Sequence, residues 1–166
     1  MDVQWLSEEE RAAWVRLYAV SELLPGILDA QLRRDSGLTH FEYFVLAMLS
    51  EAPERTLRMT ALANRTSATL PRLSHVVQRL EARGLLERSP CLDDRRATNV
   101  RLTEQGWEVV VDAAPGHVAA VRHHVLDPLT PAQVTQLVRI GDALLTHLDP
   151  GGRLSDLLAP SESSED

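Results

Sequence analysis

Three side chains carry the first chemical signal in this sequence. Arg72, His75 and Arg79 step by three and four, so a helix would set them along one face. Thr66, Ser67 and Thr69 stand just ahead of them with short hydroxyls. Guanidinium and imidazole donors beside small hydroxyls suit phosphate oxygens and the acceptor edges of bases. A helix carrying them needs an opposite, apolar face to hold it in place. Leu70, Leu73, Val77 and Leu80 supply one, at steps of three, four and three. The spacing predicts an amphipathic helix over 66–84, polar at its front and along its flanks. That is the layout of a helix that enters a DNA major groove.

The neighbours of this helix sharpen the expectation. Thr60 to Arg65 reads as a brief helix holding Ala61, Leu62 and Ala63, while the stretch before it, Leu57 to Met59, is too short to assign, with an extended state left open. Thr66-Ser67 then forms a two-residue turn, with Ser67 or Thr66 as the N-cap of the longer helix. Pro71 falls in the first turn, where a missing N–H costs little, and Gly84 ends the helix as a C′ glycine. Two helices about a short turn, the second basic in front, make a helix-turn-helix. Leu85 to Arg88 and Thr98 to Leu102 read as strands, and the turn residues between them predict a β-hairpin with Arg95 and Arg96 at its tip.

The flanks read as longer helices. Ser7 and Glu10 form a capping box ahead of a helical pattern that runs towards Arg34, with a kink expected at Pro25 and an end at Gly37. Thr39 and Glu42 form a second box before a short apolar helix from Phe41 to Glu51. Thr103 caps a further helix, expected to break or bend at Pro115-Gly116 and resume to about Leu126. Thr130, Pro131 and Gln133 mark the start of the last helix. Its stripe of Val134, Leu137, Val138, Leu144, Leu145 and Leu148 is too apolar to face water, and predicts a partner surface. The acidic, polar segment 151–166 is expected to be disordered.

Composition narrows the class. The chain has 166 residues and is 44% hydrophobic, enough for one domain or one domain with an extension. No apolar run reaches the length of a membrane span, and Met1-Asp2 lacks a secretory start. A single cysteine, Cys91, excludes an internal disulfide framework and fits a reducing cytoplasm. The net charge of −7 hides a segregation. Residues 55–101 hold ten Arg against four acids, which is +6, while the remainder holds seven Arg against twenty acids, which is −13. A basic middle on acidic flanks is the electrostatic footprint of a DNA-contacting module.

These parts resemble the MarR family of transcriptional regulators. The resemblance rests on Asp94-x-Arg96 followed by Val100-x-Leu102-Thr103-x-x-Gly106, on Leu62-Ala63 before the turn, and on Leu80-Glu81-x-x-Gly84-Leu85 after the helix. It covers roughly residues 7 to 148. It implies a mainly α fold with a small β-hairpin wing: a winged helix-turn-helix lobe at 39–102 and a helical dimerisation region at 1–38 and 103–150. It further implies a cytoplasmic homodimer that binds a pseudo-palindromic duplex and acts as a repressor released by a small ligand, with aromatic acids as a candidate class. Thr66, Ser67, Thr69 and Arg72 are then the groove candidates, with His75 and Arg79 nearer phosphate. An ion pair of Arg79 with Glu81 or Glu87 is the competing reading. Arg96 matches the family's wing arginine, which enters the minor groove; Arg95 is an extra cation, and Asp94 braces the wing. Arg11, Trp14, Tyr18, His40, Tyr43 and Phe44 are candidate pocket residues, and the 134–148 stripe is the dimer interface.

Other chemistries find less support. His117 and His124 could share a helix face, but no Cys–His or Glu–His pair at i, i+4 completes a metal site, so solvated histidines are expected and no metal or cofactor. There is no glycine-rich nucleotide loop and no nucleophile–base set, so no catalytic residues are expected. A winged helix used only for protein docking would explain the flanking helices but not the segregated charge.

Overall fold

A computed structural model of the chain describes residues 3–91, 94, 96–152 and 154. The first helix, α1 (Glu8–Ser36), starts at the Ser7–Glu10 capping box and stops at Gly37, whose φ of 66° is the left-handed cap that glycine adopts without strain. It runs unbroken through Pro25. The second, α2 (His40–Ser50), starts at the Thr39–Glu42 box, and its Val45, Leu46 and Leu49 are wholly buried. A tight turn with left-handed Glu54 and Arg55 leads into β1 (Thr56–Arg58), the stretch whose state the sequence left open.

Two further helices follow, α3 (Met59–Arg65) and α4 (Leu70–Ala82). The hairpin strands are β2 (Leu86–Pro90) and β3 (Thr98–Leu102). β3 lies between β1 and β2, antiparallel to both, with Leu57 opposite Val100 and Arg88 opposite the same residue from the other side. Then come α5 (Glu104–Val121), a π-helical turn at Arg122–Leu126, and α6 (Pro131–Leu148), which opens on the Thr130–Gln133 capping box. Of the break or bend expected at Pro115-Gly116, the break does not occur. The proline removes one N–H from α5, and the helix, packed on α1 and α2, continues to Val121; the irregularity falls at the π turn instead.

One core holds the middle of the chain together. Leu46, Leu49, Leu62, Leu73, Val77, Leu80, Val100 and Leu102 meet in it, closed from above by Leu32 of α1 and by Val110 and Ala113 of α5. Gly106 explains the last position of the wing motif. A Cβ there would collide with the Leu85 carbonyl oxygen and the Leu102 side chain, so only glycine lets α5 start this close to the sheet. By contrast, α6 buries none of its residues. Among the described residues no helix is long and apolar enough to cross a membrane. Most of the expected disordered segment lies outside the described residues, as does Arg95.

Candidate nucleic-acid interface

The faces of α4 are divided by what each residue meets. Leu73, Val76, Val77 and Leu80 point into the core; Val76 was not among the residues expected there. Leu70 was expected there but stands 47% exposed at the front of the helix, beyond the reach of the core. Together with Ser74 it faces the wing across a cleft that Arg58, Thr60, Arg88 and Arg96 also line. The other flank, with Arg72, Arg79 and Arg83, faces the start of α2.

The turn between α3 and α4 is longer than expected, and this moves the hydroxyls. Ser67 has a left-handed φ of 48°, an uncommon state for a residue with a Cβ, and α4 begins only after Thr69. The N-cap is therefore Thr69, not Ser67 or Thr66, and its side chain makes no capping bond. Thr66 does not face a groove: it is 6% exposed, and its hydroxyl donates to the Leu62 carbonyl at 2.7 Å. That bond terminates α3 and removes Thr66 from the groove candidates. Ser67 and Thr69 remain exposed.

Ion pairing sorts the arginines. Arg79 pairs with Glu42 at 3.1 Å, so neither Glu81 nor Glu87 is its partner, and Arg83 approaches the same carboxylate at 3.9 Å. Glu42 is buried, and its other oxygen closes the α2 capping box by accepting from Thr39 N–H at 2.8 Å. Arg88 pairs with Glu81, holding it below the usual carboxylate range, and Arg101 pairs with Glu87, each at 2.6 Å. Arg55 binds Glu104 at 3.0 Å and lies over the Trp107 ring. At the wing, Asp94 accepts from the Arg96 backbone N–H at 3.0 Å and lies 3.7 Å from its guanidinium, which projects almost fully into solvent.

Within the basic segment, Arg58 and Arg72 have no carboxylate partner among the described residues. Exposed pairs contribute little stability, but a paired cation must share or give up its acid before it meets a phosphate. Unpaired cations give up nothing. Arg58 was missed as a site residue; its one sequence signal was membership of the basic segment.

The six candidate pocket residues do not line one cavity within the chain. Arg11, Trp14 and Tyr18 are exposed on the first turns of α1, where the two rings meet each other at 5.9 Å. His40, Tyr43 and Phe44 sit at the start of α2, where Asp29 of α1 accepts from His40 N–H. Trp14 and Asp29 are fifteen residues apart on one helix, about 22 Å along its axis at 1.5 Å per residue. What does gather is a different set. His117 of α5 packs against Tyr43 at 4.7 Å and His40 at 5.9 Å, so it is half-buried rather than solvated. Burial holds both imidazoles below the usual histidine pKa; His40 lowers His117 further, whereas Asp29 opposes the shift at His40. Burial pushes the Tyr43 phenol up. His117 Nδ1 and Gln31 Oε1 are buried there without a hydrogen-bond partner among the described residues. No group of three His, Cys, Asp or Glu among the described residues is placed to hold a metal ion.

The expected interface stripe is open to solvent. Leu137, Val138, Leu144 and Leu148 are exposed on α6, with Val134 and Leu145 half-buried. Across from them, Val20, Leu23 and Ile27 of α1 are exposed too, and an apolar groove runs between the two helices past Pro128 and Leu129.

A helix-turn-helix with a three-stranded wing, carried on long helices, defines a winged helix-turn-helix protein. Comparison with known proteins narrows the class. The MarR family profile matches residues 36–97. The chain is 43% identical to Sco3205 of Streptomyces coelicolor, a MarR family transcriptional regulator whose crystal structure is in complex with DNA; the match covers 90% of this chain and 93% of that one, with a TM-score of 0.86. It is 25% identical to CouR of Rhodococcus jostii RHA1, solved bound to p-coumaroyl-CoA, over 89% of this chain and 97% of CouR, with a TM-score of 0.71. It is 24% identical over 119 residues to the transcriptional repressor MprA of Escherichia coli K12, which is 72% of this chain and 67% of MprA. The chain belongs to the MarR family.

Proposed function

We propose that this protein is a cytoplasmic, dimeric regulator of transcription that binds a pseudo-palindromic duplex and is released from it by a small ligand. It acts as a repressor and not as an enzyme. The observation that carries the reading is the cleft between α4 and the wing, where Arg58, Arg96 and exposed Leu70 stand together at the surface. The likeness to a DNA-bound relative supports it.

In this reading residues 39–102 form the DNA-binding lobe, and 1–38 with 103–150 form the dimerisation region. Ser67, Thr69 and Arg72 meet base edges, with Arg72 able to make a bidentate contact to guanine. His75 and Arg58 meet phosphate, Arg79 does so while sharing Glu42, and Arg96 enters the minor groove with Asp94 bracing its backbone. The α6 stripe pairs with a second copy, so that the two α4 helices reach successive major grooves about 34–36 Å apart.

The effector site we assign to the junction of α1, α2 and α5, where Gln31 and His117 each hold a buried polar atom without a partner among the described residues. A ligand there favours release if it binds the DNA-incompetent spacing of the lobes more tightly. CouR, solved with an aromatic acyl thioester, supports an aromatic class.

Selection of bound duplexes from a random pool tests the proposal, followed by titration of the selected duplex with salt. An enriched palindrome whose affinity falls steeply with salt is the expected result, because phosphate contacts release counterions. No enrichment at low ionic strength would overturn it.

A further inference from the structure

Two consecutive residues in the first turn of α2 hold two arginines of α4 and approach the Arg83 that caps it. Glu42 takes Arg79 and approaches Arg83 through its carboxylate. Phe41 takes Arg72 by another means: the guanidinium carbon lies over its ring, 4.3 Å from the centre. The difference matters chemically. An ion pair consumes N–H donors, whereas a cation held over a π-face needs no hydrogen bond and keeps its donors available. No hydrogen bond or ion pair occupies the Arg72 donors among the described residues. On this flank Arg72, Phe41 and Arg79 line a second cleft with Asp29 of α1, whose carboxylate is already committed to Arg33 at 2.6 Å and to the His40 N–H at 2.9 Å. The ring itself is fixed, since Phe41 packs against the core and α2 is pinned by its capping box.

We infer that Phe41 is a positioning residue for base reading: its ring aims the Arg72 guanidinium at a guanine edge and leaves the bidentate fork unspent. The inference rests on the DNA-reading proposal and deepens it. It assigns part of the sequence preference to a residue on α2 that touches no nucleic acid.

Two measurements test it. In the free wild-type chain, NMR should show the Arg72 side-chain protons shifted upfield by the ring current; ordinary shifts would overturn the inference without any DNA present. Binding is then measured to the selected duplex, to its single-base variants and to random duplex. Phe41→Leu should cost about three- to tenfold on the selected duplex, flatten the preference at one base pair per half-site and leave random-duplex affinity unchanged. Phe41→Tyr should restore the preference. In an Arg72→Ala background, Phe41→Leu should have no further effect. An equal loss on all duplexes, or the same loss without Arg72, would make Phe41 merely a packing residue. A wild-type chain that binds every duplex alike would defeat the DNA-reading proposal itself, which is a different failure.

Discussion

The DNA-binding lobe and the helical ends use apolar residues in opposite ways. In the lobe, Leu46, Leu62, Leu73 and Val100 are shut away within a single chain. On the ends, Leu23 is 66% exposed and Val138 is 60% exposed, although the same residue types recur at the same helical period. Charge divides along a similar line, with +6 in residues 55–101 and −13 outside them. The lobe shares a core that is closed within the one chain, with Leu32 of α1 and Val110 and Ala113 of α5 sealing it, and carries its cations outward. The ends leave apolar faces of α1 and α6 exposed and carry most of the acids. One region is built to fold, the other to assemble.

The largest expected effect would break the assembly half of that contrast. Leu23→Glu with Leu137→Glu places carboxylates in the groove between α1 and α6, at about 3–5 kcal/mol for each charge that a dimer would bury unpaired. Light scattering should show monomers, while the far-ultraviolet signal of the lobe persists. An intact dimer would mean that the helices pair elsewhere.

Leu73→Ala probes the other half. It removes a fully buried side chain from the lobe core and should cost about 2–5 kcal/mol in denaturant unfolding. If the two regions are energetically distinct, it should leave the association constant of the folded protein unchanged.

A smaller effect separates the cations within the lobe. Arg58→Ala should weaken binding to every duplex and reduce the salt slope by about 1. Arg101→Ala, whose guanidinium is already held by Glu87, should reduce it less. Equal slopes would show that ion pairing does not rank these arginines.

The smallest effect lies at the junction of the two regions. His40 and His117 are both held below the usual histidine pKa, so below about 6.5 the unfolded chain binds more protons than the folded one. Their contribution to stability is present above that pH and is lost as the pH falls towards the folded values. Melting temperature should drop over this window, and the drop should shrink in His117→Phe. The carboxylates held low by their partners, Asp29, Asp35 and Glu81, act in a lower window, below the ordinary carboxylate range.

What the chain determined locally was legible. The capping residues Ser7, Thr39, Thr103 and Thr130 each bond within three residues, so a short window contains the whole interaction. The same holds for Gly37 and Gly84, whose left-handed turns need only their own backbone, and for the strands of the wing. Periodicity also marked the core face of α4, apart from Val76, which it left out, and Leu70, which continues the apolar rhythm but runs past the core that could cover it.

Tertiary structure alone decided the partners. Whether Arg79 met Glu81, Glu87 or Glu42 depended on which segment came to lie beside α4, and the answer was 37 residues away. Arg72 found Phe41, and His117 found Tyr43 and His40, by the same long-range convergence. Thr66 looked like a free hydroxyl until the left-handed Ser67 lengthened the turn and folded it inward. Helix ends and strand turns are settled by the free energy of a few adjacent residues. Burial and pairing are settled by chain segments that meet only after the fold has closed, and this protein's recognition surface is made of such meetings.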